Sequence, residues 1–293
     1  MPLADGIHED ITWDEYNAEE AIRISSLVNM SVSPKYYRWC QLHPKDSEAL
    51  RFGRAVDLAV FEPELFGSQY VRWTGHDAAG NKVIKRGHYW EDLQAIAGND
   101  GQEIIDEDDY QLALEIRKAV WGDPLGKTYL HQGHQQVSLI WHDQETGYRC
   151  KARLDWLSLR AALVDLKTAR SVLPRKFQRD GSELEYHVKM AWYSDALDIL
   201  GRPASEVVLL AVEKTGPLDV VCFDLDDETL AVGRFEYRRW LDELRACIDT
   251  DTWPGIARGK KVRFEIPRYK RHDFDNLDIA QLNNEAQGLE MLT

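Results

Sequence analysis

Asp155, Asp165 and Lys167 are the residues whose types and spacing carry the most chemistry in this chain of 293 residues. Asp165 and Lys167 stand two apart in the β-prone run 163–168, so a strand there must present both on one face. The preceding run 148–157 alternates: Tyr148, Cys150, Ala152, Leu154 and Trp156 face one way, and Arg149, Lys151, Arg153 and Asp155 the other. A brief connection at 158–161 makes the two strands a hairpin with Asp155 beside Asp165 and Lys167. Two carboxylates can hold a hard divalent cation through oxygen, and an amine one side chain away can stabilise developing negative charge or orient a water. Hydrolysis of a phosphodiester uses those parts, and Arg149, Lys151 and Arg153 are placed to hold phosphates entering such a site. A solvent-facing strand with its charges paired across it has the same letters, so the Asp-x-Lys spacing by itself does not choose.

The hairpin needs a frame, and the rest of the chain predicts an α/β one. Residues 1–50 read as short helices, with Ser33-Pro34 opening a helix that carries Tyr36, Tyr37 and Trp39. Apolar positions over 47–60 recur at helical spacing and stop before Glu62-Pro63. Two residues stand out there: Gly53, which costs helix propensity unless a neighbour approaches closely, and Asp57, an acid among apolar residues. Polar, glycine-punctuated text over 71–109 predicts a surface insertion of loops with one short helix at 89–97, and a helix over 107–120 follows. A β-prone segment at 135–141 and a turn at 143–147 lead into the hairpin. An amphipathic helix over 183–200 follows it, then strands at 207–212 and 218–225, then a helix capped by Asp226 or Asp227 and running to about residue 248. Over 258–271 the chain is basic with Phe264, Ile266 and Tyr269 interleaved, which fits either a nucleic-acid backbone contact or a solvated edge.

Composition narrows the class. With 44% hydrophobic and 29% charged residues the chain is a folded one, and a formal charge of -14 excludes a protein that coats DNA by charge alone, though not one with its cations gathered in a groove. The four cysteines have no CxxC pair and read as buried thiols rather than zinc ligands. No run approaches a membrane span, and acids in 1–25 speak against a signal peptide, so the expected location is cytoplasmic.

Several runs together resemble the phage RecE-type exodeoxyribonucleases, a branch of the PD-(D/E)XK nuclease superfamily. They are Phe52-Gly53-Arg54-Ala55-Val56-Asp57, Glu62-Pro63-Glu64-Leu65-Phe66, the strand 148–155, Asp165-Leu166-Lys167-Thr168-Ala169, and Tyr186-His187 through Tyr193, in order and at suitable spacing over about 33–244. The resemblance implies a restriction-endonuclease-like mixed central sheet flanked by helices. It implies one such domain over 1–293, with a helical N-terminal segment at 1–50 and a basic C-terminal extension at 258–293. It further implies hydrolysis of linear double-stranded DNA from its ends with Mg²⁺, for which Mn²⁺ substitutes, in phage recombination. A homo-oligomer around DNA and a single-strand annealing protein as partner belong to the same picture, with no membrane involved. Asp57, Asp155, Asp165 and the Leu166 carbonyl are then the expected metal ligands, and Asp155, Asp165 and Lys167 the catalytic residues. Arg149, Lys151, Arg153, Lys189 and Tyr193 are the expected DNA contacts.

Three positions depart from the family pattern. Asp57 stands where relatives carry a metal-binding histidine, Gln136 where they carry an acid, and Lys189 where a glutamine precedes the tyrosine by one helical turn. A third carboxylate is a harder oxygen ligand still, whereas Lys189 puts charge where a neutral phosphate contact is usual. The departures define an alternative expectation: a catalytically degenerate nuclease fold that binds DNA or serves as a phage interaction protein. His187 beside that helix reads either as functional or as ordinary packing, and Trp192 as helix-to-sheet core rather than a wedge against bases.

Overall fold

The structure, a computed structural model, describes residues 2–44, 46–77 and 80–266. It divides into a body, Met1–Trp253, and a C-terminal unit, Pro254–Thr293. The body begins with β1 (Gly6–His8), α1 (Trp13–Ala18), β2 (Ile22–Arg23), α2 (Ile24–Leu27), a 3₁₀ turn, α3 (Pro34–Leu42), α4 (Glu48–Phe61) and α5 (Pro63–Gln69). An insertion follows: β3 (Tyr70–Trp73), α6 (His88–Asn99), β4 (Glu103–Asp106), then α7 (Glu107–Gly122) and α8 (Pro124–Leu130). The remainder is β5 (Gly133–His142), β6 (Arg149–Ser158), β7 (Ala162–Ala169), α9 (Pro174–Glu183), α10 (Tyr186–Ile199), β8 (Glu206–Glu213), β9 (Val220–Asp224) and α11 (Asp227–Thr250).

The mixed central sheet runs β1-β5-β6-β7-β8-β9; its neighbours are antiparallel except β7 and β8, which run parallel. The edge of β6 away from β5 is shared. β7 pairs with its C-terminal end at Trp156↔Val164 and Leu157↔Leu163, and β2 pairs parallel with its N-terminal end at Ile22↔Cys150 and Arg23↔Lys151. Between those pairings β6 and β7 part. β8 is buried on both faces and divides its side chains between two cores. Val207, Leu209 and Ala211 pack with Trp192, Tyr237 and Leu241 of α10 and α11, whereas Val208, Leu210 and Val212 pack with Val56, Val60 and Ile116 of α4 and α7. Helices therefore cover both faces, as the sequence predicts.

Local chemistry explains the framing helices. Ser47 caps α4 by accepting the Leu50 N–H at 3.3 Å, and Pro63 cannot extend it. Nothing lies within 4 Å of a Cβ built on Gly53, so its cost is not the consequence of a close neighbour. Three expectations are corrected. Residues 1–50 supply two strands of the main sheet as well as helices, and the insertion holds a parallel β3-β4 pair beside its helix. The helix expected over 183–200 is α10, which starts at Tyr186 because Glu185 takes a left-handed φ of 58° and separates it from α9, a preceding helix that the sequence reading lacked.

The described part of the C-terminal unit, 254–266, is exposed and without helix or strand apart from turns and the half-buried Pro254 and Gly255. The basic residues Arg268, Lys270 and Arg271, with Tyr269 and most of the expected extension, lie outside the described residues. Among the described residues no helix is long and apolar enough to cross a membrane.

Candidate active site

The parting of β6 from β7 places the hairpin's acids. Beyond Trp156↔Val164 the ladder stops, and the Leu166 N–H donates instead to Asp155 Oδ2 at 2.8 Å. The alternation expected through Trp156 also fails here: Leu154 packs in the α10 core but Trp156 in the α4 core, stacked 6.0 Å from Phe61. Gln136, which faces Asp155 between the pairs Gln135↔Trp156 and Val137↔Leu154, has a φ of 52°. Both strands are thus irregular at the acid.

Around that point the structure brings together Asp155, Asp165, Lys167 and Asp57. Asp165 is 5% exposed. The Lys167 ammonium pairs with Asp165 Oδ2 and donates to the Leu166 carbonyl oxygen at 3.1 Å. That Asp165 oxygen is buried and in no well-aligned hydrogen bond, so the pairing is one of charge. Burial, and then Asp165, push the Asp155 carboxyl up to about 7. Burial, and then Asp155, raise Asp57 well above the usual carboxylate range, with Lys167 opposing. For Lys167 burial disfavours the ammonium, but Asp165 and Asp155 outweigh it and hold the amine protonated beyond its ordinary value.

The donor types here suit a hard cation, while among the described residues the three carboxylates do not close to within 4.8 Å of one another. The donors are oxygens, and Asp165 Oδ2 and the Leu166 carbonyl already converge on one positive nitrogen. The carboxylates around them repel one another in a poorly solvated place, a strain that a divalent ion relieves.

Asp57 and Asp155 open onto a cleft of about 660 Å³, whose wall also includes Trp13, Arg54, Tyr70, Glu103, Gln136 and Arg153. Asp165 and Lys167 are not part of that wall, and the lysine side chain is 20% exposed. Of the three cations expected to meet phosphate on β6, Arg153 reaches the cleft, fixed by Gln136 Oε1 at 3.1 Å and Ser138 Oγ at 3.0 Å. The other two are corrected. Lys151 is 4% exposed and donates to the carbonyls of Tyr16, Asn17 and Glu19, which exhausts its three hydrogens. Arg149 is bound to Glu19 Oε2 at 2.5 Å and the Leu3 carbonyl at 2.6 Å. Both fasten the N-terminal segment to the sheet.

On α10, the Tyr186 ring is near two amines: Lys167 Nζ is 5.5 Å and Lys189 Nζ 5.3 Å from its centroid. Burial, and then the charge of Lys167, push Lys189 down to about 8. Tyr193 is half-buried against the sheet, its hydroxyl raised by burial and then by Asp165 and Asp155. Trp192 is 2% exposed, in the core as expected. His187 sits 3.0 Å from Glu236 and 3.9 Å from Glu185; among the described residues these three form the group of potential ligands whose atoms all lie within 4.8 Å. No sequence spacing signals Glu236, 49 residues away on α11. Trp13 could have been found, because Thr12-x-x-Glu15 is a capping-box signature that starts a helix at that residue.

Residues 25–261 match the family described as a PDDEXK-like domain of unknown function, DUF3799. A crystal structure from Eubacterium rectale, named "Putative exonuclease", superposes with a TM-score of 0.60 at 14% identity over 92% of this chain and 99% of that one, a likeness of fold. A second solved structure, SSO0001, aligns with a TM-score of 0.27 at 13% identity over 74% of this chain and 85% of that one, too low to carry an argument. No curated protein matches. The parted hairpin, the helices on both faces and a match spanning most of the body agree: the chain belongs to the DUF3799 family of PDDEXK-like domains, within the PD-(D/E)XK nuclease superfamily.

Proposed function

We propose that the protein is a metal-dependent nuclease of the RecE exodeoxyribonuclease type, hydrolysing phosphodiester bonds of linear double-stranded DNA from its ends. The observation that carries this reading is the Lys167 ammonium set on both Asp165 and the Leu166 carbonyl, beside Asp155. In this reading Asp155, Asp165, the Leu166 carbonyl and Asp57 hold Mg²⁺, for which Mn²⁺ substitutes. When bound there, such a cation polarises the scissile phosphate and makes a water easier to deprotonate.

The chain's own residues do the rest. The raised pKa of Lys167 makes it a charge donor, not a general base; it offsets charge building on the phosphate oxygens and orients the attacking water. Leu166 N–H fixes one Asp155 oxygen, which leaves the other to turn toward the cleft. Arg153, Lys189 and Tyr193 contact the DNA strand. Phage recombination, a homo-oligomer around the duplex and an annealing-protein partner belong to the same proposal.

A time course on end-labelled linear and covalently closed circular DNA with Mg²⁺, with Asp165→Asn as control, tests it. Loss of the linear form with the circle spared supports the reading. Nicking of the circle means a restriction-like endonuclease instead, and binding without hydrolysis means a degenerate nuclease fold.

A further inference from the structure

We propose that Trp13 is a stacking platform for a nucleobase of the strand held in the cleft, an inference that rests on the nuclease reading of that cleft. The indole is 50% exposed on the same wall that presents Asp57 and Asp155. It is exposed yet fixed. Thr12 and Glu15 close a capping box that starts α1 at Trp13, so the backbone carrying the ring is held by reciprocal hydrogen bonds. Tyr16, 4% exposed, stacks on it with centroids 5.6 Å apart and 27° between planes. The Arg153 guanidinium lies 5.2 Å from the ring centroid and is itself tied to Gln136 and Ser138. A planar ligand therefore meets a face that loses little freedom on binding.

Charge explains why such a contact is needed. Glu9, Asp10, Glu62 and Glu103 join the two aspartates on the cleft wall against Arg54 and Arg153, and Arg54 is already engaged by Asp46 and Glu103. A phosphodiester backbone is repelled by that wall. A base on an indole is an uncharged contact that the acids do not weaken, and it accepts any of the four bases because each has a π-face.

The test is anisotropy titration of labelled single-stranded oligonucleotides into the full chain in EDTA, where binding is read without cleavage. Oligonucleotides intact or with one abasic residue stepped in from either end are compared on the wild type, Trp13→Ala and Trp13→Phe. Trp13→Ala is expected to weaken binding about tenfold, with Trp13→Phe near wild type. One abasic position should cost the wild type about as much and cost Trp13→Ala nothing further. Every abasic oligonucleotide binding the wild type like the intact one overturns the proposal, as does an abasic penalty that persists undiminished in Trp13→Ala. The abasic series on the wild type decides even where a variant fails to fold. A parallel reaction with a labelled linear duplex and Mg²⁺ reads hydrolysis separately, so an abasic penalty without duplex cleavage sinks the nuclease reading and leaves the platform standing.

Discussion

Lys167 is what allows Asp57, Asp155 and Asp165 to share one poorly solvated place. Taking its charge away by Lys167→Met leaves the acids facing one another, and a buried charge stripped of its partner costs about 3 kcal/mol. The variant should therefore lose about that much in denaturant unfolding in EDTA and regain much of it with Mg²⁺, because a cation that binds the folded state stabilises it by mass action. Its hydrolysis rate should fall about 10²–10³-fold in single-turnover assays, while duplex affinity in EDTA changes far less. Asp165 and Lys167 were legible because a spacing of two in a strand has one meaning, and Asp57 because an acid in an apolar helix face needs a reason. Lys151 was not. Alternation tells which face a strand residue takes but not what covers that face, and here the carbonyls of the N-terminal segment do.

At the scale of elements, the site depends on α10 being held against both the sheet and α11. A Cβ at Gly233 of α11 would stand 2.5 Å from the His187 carbonyl oxygen and 3.0 Å from Val188 Cα, so Gly233→Ala must push α10 away. Overpacking of this kind costs about 1–3 kcal/mol, or roughly 2–10 °C in melting temperature for a chain of this size. Because α10 also carries Lys189 and Tyr193, activity should drop with it, and calorimetry beside the cleavage assay checks both. The turn between β5 and β6 makes a pH-dependent contribution. Burial opposes ionisation of Asp143, but the Thr146 hydroxyl and amide and Arg238 outweigh it and hold the carboxyl below its ordinary value. That carboxylate stabilises the fold above the unfolded pKa, and the contribution is lost as pH falls through the lowered native one. Asp143→Asn should thus cost about 3 kcal/mol at pH 7 and progressively less below about pH 4, read by urea unfolding at both. The periodic elements, α4, β8 and α11, were visible in sequence. The sharing of the β6 edge was not, since β2 is two residues long and has no period to show, and neither was the break at Glu185, a non-glycine residue at positive φ.

For the whole molecule, a formal charge of -14 means that DNA affinity cannot come from the surface at large. If Arg153 and Lys189 are the charged DNA contacts, the slope of log affinity against log salt should be about -2 between 50 and 200 mM. A slope near -8 would transfer most of the binding to other cations, such as the basic stretch at 258–271. The central claim is that the acids and the amine at the parting of β6 and β7 form a phosphodiester-cleaving centre. Single-turnover hydrolysis of an end-labelled linear duplex, started by adding Mg²⁺ to the preformed complex, tests it most directly. The account predicts release of short products from the labelled end with Mg²⁺ or Mn²⁺, none in EDTA, and none with Asp165→Asn at equal DNA occupancy. A duplex left intact by the wild type with either ion, or cut equally well by Asp165→Asn, would contradict it.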